Sequence, residues 1–388
     1  MSDIQLEAAL VKPSDFKFRE VSPLTQFRAA LTEAPALGAL VDFAGTFAGH
    51  GFNTIFRPDS KATPTTLPIP VVGSDNVLEL NLTSETLSFS KSLGSVPNRG
   101  FVQGDVFLNG VPYLQTISDI TVPSQPVGIH FEPGLWLSVP ATVDPSEVTT
   151  VVRMASIPHG TTILAQGTAK TEPGKPTIPA VDITPFTTAP PHNKIPFPSQ
   201  TATNKDTARI PQDLSSFITA GTITQAILDD PNTILRNHIA AQNITSTTTI
   251  VISTEPAAPL FGGGTGNIAF LLGNPTASAP NAQDVKMTAV FWVETVKHTI
   301  VVPIFHPGHP PMIIPAETGE AGQPVPKFLV NPPIPITTPR SITVESVQIQ
   351  YSQQVFLNFN TLTWPHISVA TLVPSTPIPV PPSVWETA

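Results

Sequence analysis

Five residues in this chain have side chains suited to chemistry and sit in patterns that give them a direction: His130, Glu132, Arg153, His159 and His366. The stretch Val127 to Gly160 reads as two strands joined by a short acidic turn. In its first half the odd positions Ile129, Phe131, Leu135, Leu137 and Val139 are apolar, while the even positions are His130, Glu132, Gly134, Trp136 and Ser138. A strand points successive side chains to opposite faces, so the pattern predicts a packing face and a site face. His130 and Glu132, two residues apart on one face, suit a shared metal or an acid–base pair, and equally a hydrogen-bonded pair that locks neighbouring strands. Arg153 lies inside the apolar run Thr150 to Ile157, where it either receives a ligand carboxylate or pairs internally with Glu132. His159, in the Pro158-His159-Gly160 turn, is a candidate distal contact to a ligand, or else holds its own backbone.

His366 carries the sharpest signal. After Pro365, it shares one strand face with Ser368, Ala370 and Leu372, so the imidazole looks out over small side chains. A flat ligand would fit against that strand with the ring at its centre, and a structural hydrogen bond is the plainer reading. Phe52, Arg57 and Trp136 join His130 and Glu132 as candidate ligand contacts. The first two lie in Asp42 to Ser60, where glycines among apolar residues mark a bulge or close backbone approach. HPGH (His306 to His309) has metal-like composition but no third ligand nearby. FGGGTG (Phe261 to Gly266) lacks the Gly-Lys-Ser/Thr ending of a phosphate loop and opens no helix. No Gly-x-Ser-x-Gly is present, which leaves serine-nucleophile catalysis without support.

The elements that must position these residues are strands. With 46 prolines and only 12% charged residues in 388, long helices are disfavoured, since an interior proline costs about 3 kcal/mol in a helix. The absence of cysteine removes disulfides, thiolate nucleophiles and cysteine-held metals. A net charge of -9 without any basic cluster argues against nucleic acid and acidic membrane surfaces. No apolar run reaches the roughly 18 residues of a membrane span, and the first twenty residues show no basic segment followed by an apolar core, so a cytoplasmic location is expected.

Along the chain, residues 1–41 read as an arm and a helix from Pro23 to Leu40, capped by Ser22. Residues 42–167 read as strands, among them Asn76 to Phe89, and a hairpin in Val96 to Val122 turning at Asn109-Gly110. Residues 168–246 are a proline- and threonine-rich excursion without a core of its own. They end in short helices, one starting at Asp230-Pro231. Strands resume over 247–374, interrupted by a proline-rich loop at 303–339. There Val347 to Phe359 alternates Val347, Ile349, Tyr351, Val355 and Leu357 with Gln348, Gln350, Ser352 and Gln354. Residues 375–388 form a proline-rich tail. The fold expected is all-β, an up-and-down barrel of the kind that encloses one apolar ligand.

The order of motifs resembles that of the nitrobindin-type heme-binding β-barrels. FAGTFAGHGF (Phe43 to Phe52) is similar to the family's F-x-G-T-W-x-G-x-G opening, ETLSFS (Glu85 to Ser90) to its acidic-aromatic strand, and NGVPYLQTISDIT (Asn109 to Thr121) to its G-x-P-F-L strand. GIHFEPGLWLSVPA (Gly128 to Ala141) resembles its H-x-E-x-G-[FY]-W-R strand, TVVRMASIPHG (Thr150 to Gly160) its ELVLAHPTG strand, and PHISVATL (Pro365 to Leu372) its P-H-L-x-A-x-L strand. Phe47 stands where the family has tryptophan and Leu137 where it has arginine, and 168–340 has no counterpart. The resemblance implies heme b held by His366 as the metal ligand, with His159 and Arg153 as catalytic residues. It also implies chemistry on small oxidants or nitrogen oxides, such as peroxynitrite isomerisation or a peroxidase-like reaction. Two other functions stay open: a non-catalytic carrier of a hydrophobic small molecule, and a cofactor-free enzyme using His130, Glu132 and His159. The partner expected is a small-molecule ligand, with no nucleic acid and no membrane span, and a homodimer is allowed.

Overall fold

Threonine, valine and isoleucine at period two favour the extended backbone, and a sheet with one apolar face must close on something to bury it. The structure, a computed structural model, describes residues 36–60, 64–98, 105–144, 146–255, 263–267, 282–317 and 324–386. Ten strands form the frame: β1 (Gly45–Pro58), β2 (Asn76–Phe89), β3 (Val106–Asp119), β4 (Val127–Val139), β5 (Thr150–Ser156), β6 (Thr161–Pro173), β7 (Asn243–Ser253), β8 (Gln283–Val302), β9 (Arg340–Phe359) and β10 (Leu362–Pro374). Each pairs antiparallel with the next in the chain. β10 returns to β1, with Ser368 opposite Asn53 and Ala370 opposite Gly51, and closes an all-β up-and-down barrel.

One end of the interior is packed solid. Phe43, Phe47, Phe89, Trp136, Phe291 and Leu372 belong to one buried apolar cluster, floored by the 3-10 turn Gly38–Leu40. The predicted helix from Pro23 lies otherwise outside the described residues. Toward the other end, where the turn 157–160 joins β5 to β6, polar side chains replace the apolar filling.

The excursion between β6 and β7 neither fills nor lids the barrel. Its helices α1 (Ser215–Ala220), α2 (Gln225–Asp229) and α3 (Thr233–Ile239) lie with it against the outer wall. Ile183, Leu214, Ile227 and Leu235 join Phe52, Leu80, Trp292 and Val369 in a second apolar cluster. It also adds short strands, Phe186–Thr187 to β10 and Arg209–Ile210 to β2. The excursion has no core closed on itself: outward-facing residues of the barrel supply the other half of the cluster. The proline-rich loop before β9 contributes Met312–Pro315 and Lys327–Val330, which with Ile378–Pro379 make a three-stranded sheet over the extended ends of β8 and β9. Among the described residues no helix is long and apolar enough to cross a membrane.

Two local expectations change. Asn109 and Gly110 make no turn; they lie inside β3, and the hairpin instead pairs Val96–Asn98 with Val106–Leu108. Glycine is needed there because a Cβ at Gly110 would sit 2.1 Å from the Trp136 carbonyl oxygen. The expected packing face of β4 changes as well: the mixed even face points inward, with Trp136 and Glu132 buried, while the apolar odd face points outward and leaves Phe131 47% exposed.

Candidate functional site

Period-two alternation sends His130 and Glu132 of β4, Tyr113 and Gln115 of β3, Arg153 of β5, Tyr351 and Gln353 of β9, and His366 and Ser368 of β10 into the barrel. They form three linked groups. In the first, Glu132 and Arg153 are fully buried and paired: Arg153 donates from Nη2 to Glu132 Oε1 at 2.5 Å and from Nε at 3.1 Å. Tyr113 also donates to Glu132 Oε1, while Arg153 reaches Gln353 Oε1 at 2.7 Å. The guanidinium is packed among the rings of Tyr113, Trp136 and Phe291, 5.4 to 5.7 Å from their centres. Burial by itself would raise the Glu132 pKa, but the Arg153 charge and hydrogen bonds from His130 and Tyr113 hold it at about 2. Burial likewise opposes the charged guanidinium, and Glu132 and Tyr113 keep Arg153 protonated.

In the second group Glu85 of β2 accepts from Tyr351 Oη at 2.6 Å and Thr83 Oγ1 at 2.8 Å. Gln115 Nε2 donates to Tyr351 Oη at 3.2 Å. Desolvation raises the Glu85 pKa, and those hydrogen bonds oppose it. The carboxylate sits against Gly51 of β1, where a Cβ would lie 2.8 Å from Glu85 Oε1.

The third group holds the histidines. Asn53 Nδ2 lies 2.8 Å from His366 Nε2 and 2.8 Å from Ser368 Oγ, while its Oδ1 accepts from Asn81 at 3.3 Å. With the amide oxygen committed to Asn81, the amide nitrogen faces the ring, so His366 Nε2 is the acceptor and carries the lone pair. Desolvation, reinforced by the nearby His130 and His159, lowers the His366 pKa to about 4, which makes it a neutral imidazole. It nonetheless keeps part of its surface accessible. Opposite, His130 Nε2 donates to Glu132 Oε2 at 3.0 Å, and the exposed His159 ring stands edge-on to His130, 5.1 Å between centres. Desolvation and then His130 lower the His159 pKa.

The structure thus brings His130, Glu132, Arg153 and His366 to one barrel interior, with Arg153 in its internal ion pair, and leaves His159 exposed on the turn beside His130. Three ligand-contact expectations change. Phe52 faces outward and is buried beneath the excursion, because β1 turns its odd positions Phe47, Gly49, Gly51 and Asn53 inward. Trp136 lies in the packed end, edge-on to Phe43 and Phe291. Arg57 pairs with Glu79 at 2.9 Å, both partly exposed. Asn53, Gln353 and Tyr113 are site residues that the sequence reading passed over, although Asn53 was reachable by continuing the period-two count from Phe47. His306 and His309 are exposed, 5.8 Å apart between ring centres. Among the described residues no three His, Cys, Asp or Glu side chains form a metal-holding group. No family model matches the chain, and neither a curated protein nor a solved structure matches it.

Proposed function

We propose that the barrel binds heme b through His366 and acts on a small oxidant or nitrogen oxide. The observation that carries this reading is the state of His366: a neutral, inward-facing, partly accessible imidazole whose Nε2 lone pair is free of a proton. That is the donor an iron porphyrin requires, and one axial histidine suffices to hold it. Binding would exchange the Asn53 hydrogen bond at Nε2 for the iron. When bound, heme supplies a redox-active Lewis acid that activates oxygen–oxygen or oxygen–nitrogen bonds.

The protein's own contribution follows from the groups facing His366. Glu132 fixes the His130 ring through Nε2, and Arg153 fixes Glu132, so His130 is an oriented proton carrier with a rigid support. His159 stands beside it at the exposed end, where a small anion would enter. Purified protein titrated with hemin should develop a Soret band that His366→Ala abolishes. A chain that takes up no hemin sinks this reading.

The His130–Glu132–Arg153 chain also supports a second reading without a cofactor, in which His130 is the general base for a small substrate. It predicts turnover that survives His366→Ala and is lost in His130→Ala.

A further inference from the structure

The 3-10 turn Gly38–Leu40 does not seal the packed end of the barrel. Beside it a cavity of about 420 Å³ opens into that mouth. Alternation fixes what lines it: the inward positions Trp136, Arg153, Ala165, Ile250 and Phe291 continue, two residues at a time, to a ring of hydroxyl side chains. These are Ser138, Thr149, Thr171, Ser246, Thr248 and Thr295. The apolar cluster that holds Trp136, Ile250 and Phe291 lies between this mouth and the histidine end, so the two spaces are separate.

The ring presents its oxygens to the cavity. Thr171 and Thr248 share one hydrogen bond at 2.8 Å. The hydroxyls of Thr149, Ser246 and Thr295 make none among the described residues, and all three side chains are exposed or half-buried. Asp42, on the turn that leads into β1, is the only charged residue among those that line the cavity. Its carboxylate is accessible, and it has neither an ion pair nor a hydrogen bond among the described residues. Burial of part of the group raises its pKa, and no neighbouring charge offsets that. A carboxylate that is partly desolvated and unpaired at the rim of a hydroxyl-lined cup is a place for a positive charge.

We propose that this mouth binds a small organic monocation, a primary alkylammonium whose N–H groups meet Asp42 and the neighbouring hydroxyls while its chain packs on Val151, Ala169 and Val293. An ammonium brings three donors, which the carboxylate and the bare Ser and Thr oxygens can all accept. One carboxylate balances one positive charge, and an anion of the same shape meets repulsion with no cation in the lining to relieve it. The site is independent of the heme reading, since it shares none of its residues.

The test uses the full chain at low ionic strength near neutral pH, with hexylammonium, 1-hexanol and hexanoate as matched probes followed by calorimetry and ligand-observed NMR. Hexylammonium should bind about tenfold more tightly than 1-hexanol, the worth of a charge-assisted hydrogen bond, and hexanoate should bind most weakly. Asp42→Asn should bring hexylammonium down to the level of 1-hexanol and leave 1-hexanol unchanged. Thr149→Trp, which fills the mouth from its exposed rim, should abolish binding of both. Equal affinity for the three probes overturns the proposal. So does a hexylammonium preference that persists in Asp42→Asn, which would assign it to the net negative charge of the whole surface. Asp42→Asn is a conservative change at an exposed position, so the outcome does not depend on the folding of Thr149→Trp.

Discussion

His366 Nε2 and Asn53 Nδ2 stand 2.8 Å apart across the seam where the last strand of the barrel meets the first, joining positions 313 residues apart in the chain. The contact ties barrel closure to the state of the imidazole proposed to hold iron. Asn53 and iron would compete for the same lone pair. Asn53→Ala should therefore raise hemin affinity by about three- to tenfold, the worth of one neutral hydrogen bond. A Soret titration reads this directly. A fall in affinity would show that Asn53 serves to orient the ring.

The same residue predicts a pH dependence. In the unfolded chain His366 protonates below its ordinary pKa of 6.5, whereas in the fold it stays neutral down to about 4. The native state thus binds fewer protons in that window, and the stability present above pH 6.5 is lost as the pH falls toward 4. Denaturation midpoints of His366→Phe should fall less steeply across pH 6.5 to 4 than those of the native chain.

Glu294 of β8 predicts the opposite slope. It is fully buried under the excursion, accepts from Gln348 Nε2 at 2.7 Å, and leaves Oε1 without a partner. Desolvation raises its pKa from 4.5 to about 8, with Gln348 pulling weakly the other way. The folded form holds a proton that the unfolded form has released, so its contribution is complete below pH 4.5 and lost as the pH rises through 8. Glu294→Gln should flatten the decline between pH 5 and 8 and stabilise the protein at pH 8, by an upper bound on the order of 4 kcal/mol. Urea melts at both pH values measure it.

Breaking the Glu132–Arg153 pair should be more damaging than removing it. Arg153→Met alone leaves a buried carboxylate without its counter-charge and should cost about 3–5 kcal/mol. Combined with Glu132→Gln, much of that loss should return. Chemical denaturation of the two single variants and the double variant gives the coupling energy, and additive losses would argue against a coupled pair.

Gly110→Ala tests the corrected reading of β3. A methyl group 2.1 Å from the Trp136 carbonyl forces β3 and β4 apart, with an expected loss of about 1–3 kcal/mol in a thermal or urea melt. A neutral outcome would return the position to a tolerant turn.

Much of the barrel was legible in the sequence because alternation is a local property. Asn76–Phe89 and Val127–Val139 coincide with the predicted strands, and the inward faces of β4 and β10 were readable from His130, Glu132, His366 and Ser368. The Arg153–Glu132 pair stood among the alternatives, since a lone arginine in an apolar strand needs a counter-charge. What sequence could not supply was the partner across each seam. Asn109-Gly110 has the residues of a turn, and only the nearness of Trp136 makes it the interior of a strand. Phe52 has the composition of a ligand contact, yet a period of two allows either face, and closure of β1 against β10 put Asn53 inside and Phe52 outside. The glutamine face of β9 is polar in sequence, yet Gln350 is buried and donates to the Leu235 carbonyl at 3.2 Å beneath the excursion. Local pattern determined which residues share a face. Tertiary closure decided which face became the interior, because burial depends on which strands and which excursion come to rest against it.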